Sequence, residues 1–186
     1  MLYLVAQTAT IYNLSIDLAD IDRGVYEKLN IRVARQPSET IEYMLMRVFA
    51  YCFEYADGIV MTEGVAAGDE PAIMIRDLTG RITAWIEVGM PDADRLHRGS
   101  KLAGRAAVYT HRDVRKVLAG FSSANIHRSA EIPVYAFDRS FVDEIAGLLD
   151  RRSSLSFSIT ERQLYLEIAG RTFTTTIVEH RVAGGQ

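Results

Sequence analysis

The order of hydrophobic patterns predicts a single mixed α/β domain, residues 1–186, with a central sheet and helices packed against it. Three observations carry this reading. Alternating, strand-like runs both open and close the chain. A strongly amphipathic helix follows the opening strands. Short apolar runs bounded by turn residues then alternate with helical patterns, in the order antiparallel strands, helix, strand, helix, strand, helix. A chain of 186 residues is long enough for one sizeable core, and nothing in it requires a second domain.

At the start, Leu14, Ile16 and Leu18 recur at spacing two between polar residues, the mark of a half-buried strand. Asp20 to Arg23 reads as a turn, and Leu29 to Arg35 repeats the alternation, so paired strands open the fold. Pro37-Ser38-Glu39 then starts a helix with Ser38 as N-cap, and Glu39 and Glu42 lie in its first turns, where the helix dipole favours anions. Ile41, Met44, Leu45, Val48, Phe49 and Cys52 form its apolar stripe, and Asp57-Gly58 ends it.

Ile59–Thr62, Ala72–Arg76 and Ile82–Val88 read as three strands, with Gly64–Gly68 a small-residue loop and Leu78-Thr79-Gly80 a turn. Pro91-Asp92 restarts helix with Asp92 as cap, and Gly99 is a place where that helix could stop early. Ala106–Thr110 and Ile132–Phe137 are buried strands of the parallel kind. Thr110 with Asp113 makes a capping-box start to a basic helix, and Ser140 with Asp143 caps another. Leu155–Ile159, Gln163–Ile168 and Thr172–Val178 form a terminal antiparallel unit, followed by a loose tail from Ala183.

Composition excludes several classes. Hydrophobic residues make up 48% and charged residues 24%, the balance of an ordinary soluble globular protein, and no apolar run is long enough for a membrane helix. Met1–Ala6 is apolar but lacks a basic segment ahead of it, so it reads as strand and not as a secretory signal. The single cysteine, Cys52, excludes an intrachain disulfide and points to a reducing, cytoplasmic setting. A net charge of −3 argues against a general nucleic-acid coat. It leaves room for a local basic surface, and the segment from Arg95 to Arg128 holds Arg98, Lys101, Arg105, Arg112, Arg115 and Lys116 against a lone Asp113. That surface is the candidate contact for DNA or RNA, and solvated helix faces explain the same charges. His97, His111, His127 and His180 lack metal-ligand spacing and read as surface residues.

The chemistry-bearing residues are Asp69, in Asp69-Glu70-Pro71, and Glu87, in Trp85-Ile86-Glu87-Val88-Gly89. Each lies at the mouth or end of a strand, and the tight turn at Gly80 can bring the start of one strand beside the end of the next. Two carboxylates there, with the Val88 carbonyl, would make an oxygen-rich site suited to Mg²⁺ or Mn²⁺, and Glu42 could add a third. Such a cation would activate water and offset charge on a phosphodiester. Turn and helix capping accounts for the same acids without a metal.

Thr8–Tyr12, Ala19–Arg23, Ala34–Glu42, Asp69-Glu70-Pro71, and Trp85–Gly89 with Pro91-Asp92 and Arg95 form a series of separate segments in a fixed order. Together they resemble the YaeQ family over nearly the whole chain. That family is similar in fold to the PD-(D/E)xK nucleases, the restriction endonuclease-like superfamily. The resemblance implies a mixed central sheet flanked by helices, with antiparallel strands at both ends of the chain. It also implies metal-dependent phosphodiester hydrolysis, with Asp69 and Glu87 as motif acids and Glu42 as the first-helix glutamate. One departure is chemical: the motif lysine falls at Gly89. Arg98 and Lys101 on the following helix are the candidate replacements, and only geometry can choose between them. A non-catalytic member that binds nucleic acid or protein, and a purely structural domain, remain the other readings.

Overall fold

The computed structural model describes residues 8–63 and 68–182. The expected strand at Met1–Ala6, most of the Gly64–Gly68 loop and the terminal tail lie outside these. Strands β1 (Thr10–Asp20) and β2 (Val25–Arg35) form a hairpin in register from Thr10 opposite Arg35 to Asp20 opposite Val25. Helix α1 (Ile41–Glu54) follows, then an antiparallel meander of β3 (Ile59–Met61), β4 (Ile73–Arg76) and β5 (Ile82–Val88). Next come α2 (Ala93–Leu102), β6 (Arg105–Thr110), α3 (Val114–Ala119), a single 3₁₀ turn, β7 (Pro133–Ala136) and α4 (Arg139–Leu148). The chain closes with β8 (Arg152–Thr160), β9 (Gln163–Ile168), β10 (Arg171–Thr176) and β11 (Val178–Arg181).

The mixed α/β class holds, but the strands divide into two sheets, where the sequence suggested one central sheet with terminal antiparallel strands. The terminal units join each other: β1 runs parallel to β8, giving a five-stranded sheet in the order β10-β9-β8-β1-β2. The second sheet has six strands in the order β11-β7-β6-β5-β4-β3, with β5, β6 and β7 parallel. The run expected to continue to Val178 breaks at Ile177, where the chain leaves the first sheet, and β11 pairs with β7 in the second.

One core unites the inner faces of both sheets with α1 and α4. Phe49 of α1 touches Phe137, Phe141 and Phe157, which lie just past the end of β7, on α4 and on β8 of the first sheet. Being enclosed in this way, α1 is buried almost all round, well beyond its expected stripe. A second core lies on the outer face of the six-stranded sheet, where Trp85, Val108 and Val134 meet Leu96 of α2 and Val117 of α3. Period-two alternation places Ala84, Ile86 and Val88 in the first core, and Trp85 and Glu87 on the opposite face.

Helix starts differ from the expected ones in each case where a nearer oxygen was available. Thr40, not Ser38, caps α1 by accepting from the Tyr43 N–H at 3.2 Å. Glu39 therefore precedes the helix and is buried in an ion pair with Arg47 at 3.2 Å. Asp113 caps α3 and Asp138 caps α4, replacing Thr110 and Ser140. Asp92 occupies the N-cap of α2 without a side-chain bond. Gly99 does not stop α2. A Cβ there would lie 2.3 Å from the Trp85 indole, so glycine is what lets the helix lie flush on that ring.

Candidate functional site

Glu87 sits near the end of β5, facing α2, and is only 3% exposed. Its Oε1 accepts from Trp85 Nε1 at 2.8 Å and from Arg95 Nε at 3.3 Å, and Oε2 accepts from Arg95 Nη2 at 3.5 Å. Burial raises the Glu87 pKa above the ordinary carboxyl value, while Arg95, then the Trp85 N–H, pull the other way.

Arg95 also ties down the loop that carries Asp69. Its Nη1 donates to the Gly68 carbonyl and its Nη2 to the Glu70 carbonyl at 2.7 Å. Asp69, held between these two points, is exposed and pairs with Arg98 Nη1 at 2.9 Å. Successive turns of α2 thus present Arg95 to Glu87 and Arg98 to Asp69, because residues three apart share a helix face. The two predicted acids are brought to one side of the molecule through two guanidinium groups. Asp92, Asp94, Arg95 and Arg98 border an open cleft of about 450 Å³ beside them. Lys101 lies roughly 60° further round the helix from Arg98. It is exposed and has no ion-pair partner among the described residues. Of the two candidate replacements for the motif lysine, Arg98 is the one whose side chain reaches Asp69.

The glycine at the position where the resemblance implies a lysine has a backbone explanation. Gly89 has φ +83°, and its N–H donates to the Tyr109 carbonyl at 2.8 Å, locking the turn at the end of β5. A Cβ at this position would lie 3.2 Å from the Tyr43 ring. A lysine here would need both a left-handed backbone and a displaced tyrosine.

Glu42 does not join the other two acids in a common group. Its own backbone N–H and the Thr40 hydroxyl hold its carboxyl below the usual value, and its charged neighbours are His111 and Arg112. Among the described residues no group of three or more His, Cys, Asp or Glu side chains is placed to share a metal ion. His111, read as a surface residue, is instead buried, and its Nδ1 has no partner among the described residues. Burial, then Arg112, lowers its pKa. The basic segment is largely neutralised by its neighbours. Arg95, Arg98, Arg105, Arg115 and Arg128 all stand in ion pairs, and Lys101, Arg112 and Lys116 are left without one among the described residues.

The sequence marked Arg95 only as the start of the basic segment and as part of the family-like pattern, not as the residue joining the two acids. Alternation of Trp85 with Glu87 was the available signal, since it puts an N–H donor on the same face as the acid.

The family model described as "YaeQ protein" matches residues 5–177. The uncharacterized protein YaeQ of Escherichia coli K12 is 29% identical over 163 residues, covering 87% of this chain and 90% of its own. That of Salmonella typhi is 29% identical over 166 residues, covering 88% and 91%. The crystal structure of YaeQ from Pseudomonas syringae matches with TM-score 0.86 at 29% identity, covering 96% of this chain and 98% of that one. The YaeQ structure from Xanthomonas axonopodis pv. citri matches with TM-score 0.85 at 24% identity, covering 95% and 100%. With the family model spanning nearly the whole chain and the fold shared from end to end, this protein belongs to the YaeQ family.

Proposed function

We propose that this chain is a divalent-metal-dependent phosphodiesterase acting on DNA or RNA, built on a restriction endonuclease-like scaffold. The element order supports the scaffold: α1, the β3-β4-β5 meander, α2, then β6 parallel to β5. The observation that carries the site is Arg95. By binding Glu87 together with the carbonyls on either side of Asp69, it links two acids of separate elements beside the cleft that Arg95 and Arg98 border.

The donor chemistry fits a hard cation, since carboxylate and carbonyl oxygens are what Mg²⁺ or Mn²⁺ takes. Asp69 and Glu87 would hold it, without Glu42. When bound, the cation would supply a water of lowered pKa and polarise the phosphate. The protein's own part is charge placement. Arg98 is half exposed and engages only an exposed carboxylate, so it is free to turn to a phosphate oxygen, and guanidinium geometry suits that contact. Lys101 would add a second phosphate contact. Arg95 keeps the Asp69 loop in place.

A second reading is favoured by one specific feature. Both Glu87 oxygens already accept hydrogen bonds, and no three-residue metal cluster exists among the described residues. A non-catalytic module would then bind nucleic acid through Arg98, Lys101 and Arg112 without a cation.

Trp85 is the only tryptophan and touches Glu87, so its fluorescence reports on the site. The enzyme reading expects millimolar Mn²⁺ or Mg²⁺ to raise Tm and change that fluorescence, with both responses lost in Glu87→Ala. It also expects cation-dependent cleavage of oligonucleotides. No cation response, together with salt-sensitive oligonucleotide binding that Arg98→Ala weakens and Glu87→Ala spares, would establish the second reading in its place. If neither cation nor oligonucleotide binds, both readings fail.

A further inference from the structure

Away from Glu87 and the cleft beside α2, a cavity of about 350 Å³ opens at the seam between the two sheets. Its charged rim comes from the end of β1 (Asp20), the β1–β2 turn (Asp22, Arg23), the end of α1 (Glu54), β6 (Arg105), the β8–β9 turn (Arg162) and β11 (Glu179). Phe53, Tyr109 and Tyr135 form an aromatic wall, with Phe53 and Tyr109 ring centroids 6.0 Å apart and Tyr109 and Tyr135 4.8 Å apart.

A count of hydrogen-bonding capacity shows what the cavity lacks. Its acids are taken. Asp20 binds Arg23, and Asp22 accepts from the Glu161 and Arg162 N–H groups. Glu54 accepts from the Tyr109 hydroxyl at 2.7 Å and from both terminal nitrogens of Arg105. Glu179 faces Arg162 and Arg181. Donors are left over. Arg105 spends only its two terminal nitrogens on Glu54, and Arg162 meets Glu179 through Nη2 alone, at 2.9 Å. The Tyr135 hydroxyl has no hydrogen-bond partner among the described residues. A guanidinium carries five N–H donors and no acceptor, so the unmet demand is for acceptor oxygens.

We propose that this cavity binds a planar ring carrying a phosphate or carboxylate group, a ligand of roughly mononucleotide size. The ring lies on the Phe53–Tyr109–Tyr135 wall, and its anionic oxygens accept from Arg105, Arg162 and the Tyr135 hydroxyl. The volume is at the lower end of small-ligand pockets, and an apolar wall with a few convergent polar groups is their usual build. Glu54, clamped by Tyr109 and Arg105, keeps the Arg105 guanidinium at the rim. This site is independent of the Glu87 reading and shares no residue with it.

Isothermal titration with four probes tests it: AMP and orotate as ring anions, adenosine as a neutral ring, and inorganic phosphate as an anion without a ring. At least one ring anion should bind about tenfold more tightly than adenosine and phosphate, the worth of one charge-assisted hydrogen bond or a stacked ring. The arm that binds identifies phosphate or carboxylate as the anionic group. Arg162→Met, at a mostly exposed side chain, should weaken binding about tenfold, and Tyr135→Phe about threefold. Glu87→Gln should leave it unchanged. The proposal is overturned if neither ring anion binds at millimolar concentration. It is equally overturned if adenosine or phosphate binds as well as the ring anions, or if Arg162→Met changes nothing.

Discussion

Two buried glutamates meet the same kinds of partner on opposite faces of the six-stranded sheet. Glu87 has an indole N–H and Arg95, and Glu54 has a phenol O–H and Arg105. The difference lies in how the arginine is shared. Arg105 turns both terminal nitrogens onto Glu54, and the burial that works against the Arg105 charge is outweighed by Glu54 together with Tyr109 and Tyr135. Arg95 divides its guanidinium among Glu87, Gly68 and Glu70, and reaches Glu87 only at 3.3 and 3.5 Å. Contacts of that length are at the weak end of charge-assisted bonds. Glu54 is therefore a fixed strut, and Glu87 is a carboxylate whose charge is incompletely compensated. That incompleteness is what a site that exchanges partners requires, and it is why the catalytic proposal rests on Glu87 and the cavity proposal uses Glu54 only as support.

The comparison breaks most severely if α2 is lifted from the sheet. Gly99→Ala would place a methyl group inside the contact distance of the Trp85 ring, and a fully buried indole has nowhere to move. Overpacking of this kind costs about 2–3 kcal/mol, and we expect Tm to fall roughly 5–10 °C. Trp85 fluorescence should shift and Arg95 should lose its hold on Glu87, while ligand binding at the Glu54 cavity persists. An unchanged Tm and spectrum would mean that α2 does not depend on this close approach. On the other face, Tyr109→Phe removes one hydrogen bond from the Glu54 clamp. Its hydroxyl pKa is raised well above the usual value by burial and by Glu54, so it stays a donor throughout the accessible pH range. The expected loss is about 1.5 kcal/mol, near 3–6 °C in Tm, with no change in any metal response at Glu87. A silent substitution there would remove the distinction between strut and exchangeable acid.

How much of this was legible in the sequence depends on the range of the interaction. Local signals gave the meander and β5 to within a residue or so, and the hairpin with β2 starting at Val25 instead of Leu29, because alternation and turn residues are properties of neighbours in the chain. Pairing of β1 with β8 was not legible, since Asn13 and Arg152 carry nothing that names each other, and an alternating strand accepts any partner of matching face. The same applies to the site. Asp69 and Glu87 stood out by their position at strand ends, and Gly89 by its departure from the expected lysine. The role of Arg95 depends on two carbonyls 27 and 25 positions away, and the Glu54–Tyr109 bond spans 55 positions. Gly99 was misread for a related reason: its local meaning is helix termination, and its actual meaning is set by an indole on another element.

The smallest effect is the most diagnostic. Glu87 has a folded-state pKa above its unfolded value, so the folded protein binds that proton more tightly than the unfolded chain does. Below about pH 4 both states are protonated and the group is neutral in its effect on stability. As pH rises the unfolded chain ionises first, and folding then carries a penalty that is complete once the folded carboxyl has ionised. Glutamine keeps an acceptor for Trp85 and Arg95 without the charge. Glu87→Gln should therefore raise Tm by about 1–3 °C at pH 7–8, and the gain should shrink to nothing on acidification to about pH 4. Thermal melts of both proteins across that range measure it. A glutamine variant that is less stable at neutral pH, with the deficit closing in acid, would show that Arg95 compensates Glu87 as fully as a fixed ion pair. The contrast with Glu54 would then lose its basis.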